Sequence, residues 1–128
     1  REDEVYYSDE AESELAVTWE CSGATCAILR LQGELELGTA PRLIEEAERL
    51  TTANATRVIL DLSRISFIDS AGMSAIVGLY KQTHGRKELC LVLQHGACRR
   101  MLDRIQLTRF LPTYGSVQDA MADAVYRI

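Results

Sequence analysis

Ser70, preceded by Asp69 and followed by Ala71-Gly72, is the place in this 128-residue chain where residue types and spacing could do chemistry. The hydroxyl falls where an apolar strand pattern gives way to a helical one. A helix start carries unpaired amides and the positive end of the helix dipole, so it can hold an anion. A phosphate could be placed there or removed. It would carry close to two negative charges at neutral pH, held by the amides and repelled by Asp69. The plain alternative is a helix cap, because Ser and Asp both favour that position and contribute about 1 kcal/mol there. His95 follows a later strand, at the same predicted sheet edge, so a Ser70–His95 nucleophile pair is geometrically conceivable. No feature supplies an oxyanion hole or a third group to orient such a pair. There is no Gly-rich phosphate loop, no G-x-S-x-G and no H-E-x-x-H. His84 ends a helical pattern and is expected in solvent.

The elements that must position Ser70 can be read outward from it. Arg57–Leu62 is a nearly continuous apolar strand, as expected for a sheet covered on both faces. A short polar turn and a second apolar step lead to Asp69. The helix is predicted from about Ser70 to His84, with Met73, Ile76, Val77 and Tyr80 as its buried stripe and Gly85 as its stop. Upstream, Leu15–Glu20 and Cys26–Leu31 read as a hairpin about Gly23, and Gly33 breaks the second strand. A helix then opens with Thr39 as N-cap and Pro41 in its first turn, burying Leu43, Ile44, Ala47 and Leu50. Thr51–Thr56 is a polar loop. Downstream come a strand at Glu88–Leu93 and an arginine-rich helix at Ala97–Ile105, with Met101, Leu102 and Ile105 inward. Phe110–Thr113 is a short last strand. Ser116 and Asp119 open a final helix in the manner of a capping box. The order β-β-α-β-α-β-α-β-α calls for an α/β fold with a mixed, mostly parallel sheet and right-handed crossovers.

Composition bounds the alternatives. Residues 1–14 hold seven acids and one arginine, a charge of −6, which leaves the remaining chain at +1 within a net −5. The acidity belongs to an expected flexible tail, 1–14, and the folded domain is 15–128. Val5, Tyr6 and Tyr7 are the apolar residues of that tail that could dock on the body. No basic stripe interleaved with aromatics suggests direct contact with nucleic acid. No apolar run suggests membrane insertion, and no signal peptide is present, so a cytoplasmic location is expected. No cofactor or metal is implied, because the C-x4-C of Cys21 and Cys26 lacks a second close pair. Those two cysteines flank a turn and could face each other across the hairpin. Cys90 lies in a strand pattern and reads as a small buried hydrophobe. Lys81 and Lys87 are the only lysines against twelve arginines, a bias expected of a high-GC bacterial source.

The run Asp61-Leu62-Ser63 … Ser66-Phe67-Ile68-Asp69-Ser70-Ala71-Gly72-Met73 resembles the signature of STAS domains, specifically bacterial anti-sigma factor antagonists. Gly33-Glu34-Leu35-Glu36-Leu37-Gly38-Thr39-Ala40 resembles that family's Gly-Glu-Leu-Asp-x-x-Thr-Ala loop. The likeness spans about residues 15–125 and agrees in element order. It implies a single STAS-type domain with a non-enzymatic regulatory role. It implies Ser70 as phospho-acceptor for an anti-sigma factor with serine kinase activity, a serine phosphatase that resets it, and control of sigma-factor-dependent transcription by protein–protein interaction. It implies partner binding by Glu36, Thr39, Ala40, Asp69, Ser70, Ala71, Gly72 and Met73. The small Ala71 and Gly72 would leave the helix mouth open. Two departures stand out: Glu36 where the family usually has Asp, and Gln106-Leu107 where Gly-Leu is common. A second reading keeps the fold as a STAS regulatory module of an anion transporter or sensor assembly. A third, from another class, is a small serine hydrolase using Ser70 and His95.

Overall fold

The computed structural model describes residues 5–7, 15–23, 25–52 and 54–126. Six strands form one sheet in chain order: β1 (Val5–Tyr7), β2 (Leu15–Ser22), β3 (Cys26–Leu35), β4 (Arg57–Ile68), β5 (Glu88–Val92) and β6 (Thr113–Tyr114). The β1–β2 and β2–β3 pairs are antiparallel; β3, β4, β5 and β6 run parallel to one another. The helices are α1 (Ala40–Thr52), α2 (Ser70–Thr83), α3 (Ala97–Arg104), α4 (Leu107–Phe110) and α5 (Val117–Tyr126). The expected mixed, mostly parallel α/β domain is therefore present, with two additions. Val5–Tyr7, inside the acidic stretch, pairs with β2 in the register Val5–Glu20 to Tyr7–Thr18. Residues 1–4 and 8–14 lie outside the described residues. The segment Leu107–Phe110, part of which was read as strand, is a short helix, and the last strand starts at Thr113.

Alternating side chains divide the sheet into two faces. Leu29, Leu31, Val58, Leu60, Leu62, Leu89 and Leu91 meet Leu43, Ala47 and Leu50 of α1, Ile76 and Leu79 of α2, Leu102 of α3 and Leu107 of α4. Trp19 of β2 joins this core, and its indole N–H donates to the buried carboxylate of Glu46 on α1. The opposite face is smaller: Cys26, Ile28, Ile59, Cys90 and Val92 lie under Ala120 of α5. Arg57 is buried there, donating to Glu88 at 2.7 Å and to the Ala120 carbonyl at 3.0 Å, so α5 is tied to β4 and β5 through one guanidinium. Beyond α5 this face turns polar, with Arg30 bridging Glu20 at 2.9 Å and Asp61 at 3.1 Å.

β4 departs most from the expected plan. The polar run Ser63–Ser66 is not a turn; the strand continues to Ile68. Its register against β3 slips twice: Arg30 and Gln32 oppose Asp61 and Arg64, and Gly33 and Glu34 oppose Ile65 and Phe67. β4 thus carries two extra residues, which bulge outward and expose polar side chains. The first bulge is held by Asp61, whose Oδ1 accepts from the Ser63 amide at 3.0 Å and the Ser63 hydroxyl at 2.6 Å. Gly33 does not end β3 either. Its φ of +122° serves the second slip, and the strand runs on to Leu35. Together β3 and β4 carry the chain further toward the sheet edge where Ser70 stands.

The cysteine expectation also changes. Cys26 pairs in register with Ser22, and Cys21 with Ala27. Successive strand residues point to opposite faces, so Cys21 and Cys26 do not face each other. No disulfide joins any of the four cysteines.

Candidate functional site

Parallel strands deliver their following loops to one edge of the sheet. The loop after β3 (residues 36–39), the mouth of α2 after β4, and His95 after β5 share that edge. Open α/β sheets place their working surfaces there.

At the mouth of α2 the cap is Asp69, not Ser70. The Asp69 backbone is extended, and its Oδ1 accepts from the Gly72 amide at 2.9 Å. Its other oxygen, Oδ2, accepts from the Leu37 amide at 3.1 Å, across to the β3–α1 loop. Its own amide donates to the Leu35 carbonyl at 3.3 Å. One aspartate therefore stitches the helix start, the loop and the end of β3. Its carboxylate makes no hydrogen bond to the serine hydroxyl among the described residues. Ser70 becomes the first residue of α2, exposed, and among the described residues its hydroxyl has no hydrogen-bond partner. An aspartate that takes the capping role frees the serine from it.

Gly72 is buried, and its smallness serves packing rather than an open mouth. A Cβ there would lie 2.3 Å from the Leu35 carbonyl oxygen and 2.9 Å from Ile68 Cγ1. Only a residue without a side chain lets α2 sit this close to β3. Met73 and Ala71 are half-buried against the main core.

The loop after β3 is built by Thr39. Thr39 stands at the N-cap position of α1, as expected, and its carbonyl accepts from the Arg42 amide at 2.9 Å, but its hydroxyl turns back into the loop. It donates to the Glu34 carbonyl at 2.6 Å and accepts from the Glu36 amide at 3.0 Å. The Glu36 carbonyl in turn accepts from the Ala40 amide at 2.7 Å and the Thr39 amide at 3.1 Å. Thr39 and Ala40 are buried, so they shape the loop from beneath, while Glu36 is half-exposed.

Of the eight expected partner-binding residues, the structure brings all to one edge but exposes few. Ser70 is exposed, Glu36, Asp69, Ala71 and Met73 are half-buried, and Thr39, Ala40 and Gly72 lie beneath the surface. What sequence reasoning missed is apolar. Leu37 is 74% exposed and its amide is held by Asp69, next to Ser70; Phe67, 52% exposed, lies near the end of β4. Ile44, expected in the core, stands 48% exposed one turn into α1. Clustered exposed hydrophobes beside a polar rim mark interaction surfaces, whereas scattered ones do not. Leu37 could have been found in the sequence, as an apolar residue between Glu36 and Gly38 with no periodic partner. His95 is exposed, and among the described residues no hydrogen bond joins it to Ser70. Its charge is felt by Asp103, whose carboxyl is held below its usual range chiefly by the Thr108 hydroxyl, with Arg99 and His95 adding to that. No helix among the described residues is long and apolar enough to cross a membrane.

This fold and this edge define a known class, and the chain belongs to it: the STAS domain family model matches residues 19–120. An anti-sigma F factor antagonist from Paenibacillus polymyxa is 29% identical over 100 residues, spanning 75% of this chain and 84% of that protein. In fold, the chain resembles an anti-sigma factor antagonist from Mycobacterium paratuberculosis, with a TM-score of 0.80, 21% identity, and 91% and 97% of the two chains covered. It likewise resembles the anti-sigma factor antagonist SpoIIAA in its unphosphorylated form (TM-score 0.73, 20% identity, 88% and 98% covered). SpoIIAA has also been solved in a phosphorylated form, with a TM-score of 0.68, 18% identity, and 85% and 99% covered.

Proposed function

We propose that this protein is an anti-sigma factor antagonist that binds its anti-sigma factor when Ser70 is unmodified and releases it when Ser70 is phosphorylated. The observation that carries this reading is the division of labour at α2: Asp69 caps the helix, and Ser70 is exposed with an uncommitted hydroxyl. The partner is an anti-sigma factor with serine kinase activity, which both docks on this edge and modifies it, and a serine phosphatase restores the free hydroxyl. The resemblance to curated antagonists and the exposed Leu37, held next to the serine by Asp69, support it. The protein itself acts by binding, in the cytoplasm, and regulates sigma-factor-dependent transcription without touching DNA.

The energetics suit a switch. A phosphate adds close to two charges beside Asp69, next to the loop that carries the exposed Leu37. Burying those charges unpaired against a partner costs several kcal/mol. About 3 kcal/mol is already more than a hundredfold in affinity, enough to exchange partners. The fold need not change, because the N-terminal end of α2 carries the positive end of the helix dipole and favours an anion there. The test is binding of the anti-sigma factor to S70A and S70D. S70A is expected to bind constitutively and S70D poorly; equal binding by the two would overturn the switch.

A further inference from the structure

Asp69 uses its two carboxylate oxygens for two different elements: Oδ1 holds the Gly72 amide of α2 at 2.9 Å, and Oδ2 holds the Leu37 amide of the β3–α1 loop at 3.1 Å. Leu37 is the most exposed large apolar residue described in the chain, at 74%. It stands in a loop whose other anchors, the Thr39 hydroxyl and the Glu36 carbonyl, are internal to the loop and its flanks. Among the described residues, the Asp69 carboxylate is the only side chain outside this segment that fixes the Leu37 backbone relative to α2. An exposed leucine contributes to binding only if it is held in place, since ordering a loose loop on association consumes much of what the contact would yield.

We propose that Asp69 is a positioning residue for recognition: it clamps Leu37 beside Ser70, so that the loop after β3 and the mouth of α2 present one preformed docking surface. The inference rests on the phosphoswitch reading of Ser70 and adds to it a second, apolar half whose geometry the neighbouring aspartate sets. It also gives both oxygens of the carboxylate a use, which a capping residue with one acceptor could not match. Asn caps helices as well as Asp does. An amide side chain, however, offers one acceptor oxygen where the carboxylate offers two. D69N can therefore keep the helix cap or the Leu37 clamp, but not both, and the cap joins residues three apart in sequence while the clamp spans thirty-two. The cap is the bond that survives.

The experiment compares D69N, L37A and the double variant with the wild-type chain. Amide hydrogen exchange is read by NMR, and affinity is measured for a purified anti-sigma kinase that modifies Ser70 of the wild-type chain. In D69N the Leu37 amide is expected to exchange about tenfold faster while the Gly72 amide changes by less than about twofold. Affinity is expected to fall about tenfold in D69N and about tenfold in L37A. Because Asp69 acts through Leu37, the double variant is expected to lose about tenfold as well, not the hundredfold of independent sites. A role confined to helix capping would be rescued by D69N. Wild-type Leu37 exchange in D69N, wild-type affinity in D69N, or fully additive losses in the double variant would each overturn the inference. A wild-type chain that no such kinase modifies at Ser70 would instead overturn the phosphoswitch reading, and Leu37 exchange in D69N would still decide whether the clamp exists.

Discussion

Two glycines in one helix should respond to the same substitution in opposite directions. Gly72 and Gly78 both lie in α2, where replacing glycine by alanine contributes up to about 1 kcal/mol through helix propensity. A Cβ at Gly78 meets nothing within 4 Å, so G78A is expected to gain most of that. A Cβ at Gly72 falls 2.3 Å from the Leu35 carbonyl oxygen, 2.9 Å from Ile68 Cγ1 and 3.0 Å from the Leu35 carbonyl carbon. Two of those atoms are backbone and cannot rotate away. The oxygen is roughly 1 Å inside ordinary contact distance, so α2 must move off the end of β3. Overpacking of this kind costs about 1–3 kcal/mol. The movement also stretches the Asp69 amide bond to Leu35, already 3.3 Å, and the Leu37 amide bond to Asp69 at 3.1 Å. Two weakened bonds add about 1–2 kcal/mol. After the propensity gain, G72A should be less stable than wild type by about 3 kcal/mol, which lowers Tm by roughly 10 °C in a chain of this size. Urea denaturation followed by far-UV circular dichroism measures both variants. G72A as stable as G78A would refute the reasoning, because it would mean that α2 does not approach β3 as closely as described.

Other substitutions test other parts of the fold. Gln106 has a φ of +64°, a left-handed conformation that glycine adopts freely, so Q106G should raise stability by about 1 kcal/mol in a urea melt. E46L leaves the Trp19 indole N–H without its acceptor and should cost about 1–3 kcal/mol, with a shift in the emission of the chain's single tryptophan, whereas E46Q keeps an acceptor and most of the stability. Burial raises the Cys26 thiol pKa, against a lowering pull from Arg57, and burial alone raises that of Cys98. A folded pKa above the unfolded one gives stability that is complete below the ordinary thiol pKa and is lost as pH rises through the folded value. The urea midpoint should therefore fall on the alkaline side, and fall less in the C26A/C98A double variant.

Much of this molecule is legible from periodicity. The apolar runs at Arg57–Leu62 and Glu88–Leu93 and Ser116 capping at Asp119 appear where expected, the last as a 3.0 Å bond from the Asp119 amide. The helix after Ser70 is also where expected, but its buried stripe is Gly72, Ala75, Ile76, Leu79 and Thr83, and Met73, Val77 and Tyr80 are only half-buried. What misleads are residues whose local preference is overridden by pairing. Ser63–Ser66 reads as a turn because it is polar, but two bulges let a polar strand continue alongside β3. Ile44 and Ile105 fit a buried helical stripe, yet both stand exposed, at 48% and 45%. Phe110 looks like the start of a strand, but after the left-handed Gln106 it becomes the last residue of a short helix. At the site, the Asp-Ser pair is visible in sequence, but not which of the two caps α2. That is decided by tertiary geometry, because only the extended Asp69 reaches both the Gly72 and the Leu37 amides. The burial of Gly72 against Leu35 depends on β3 and β4 extending together, which no local pattern announces.

The most direct measurement is to incubate the chain with ATP and each serine kinase of the anti-sigma type from its own genome, and to map any modified residue by mass spectrometry. A single phosphate on Ser70, absent in S70A and accompanied by release of the kinase partner, is the expected result. A phosphate on any other residue, or a partner that stays bound after Ser70 is modified, would contradict the proposed switch.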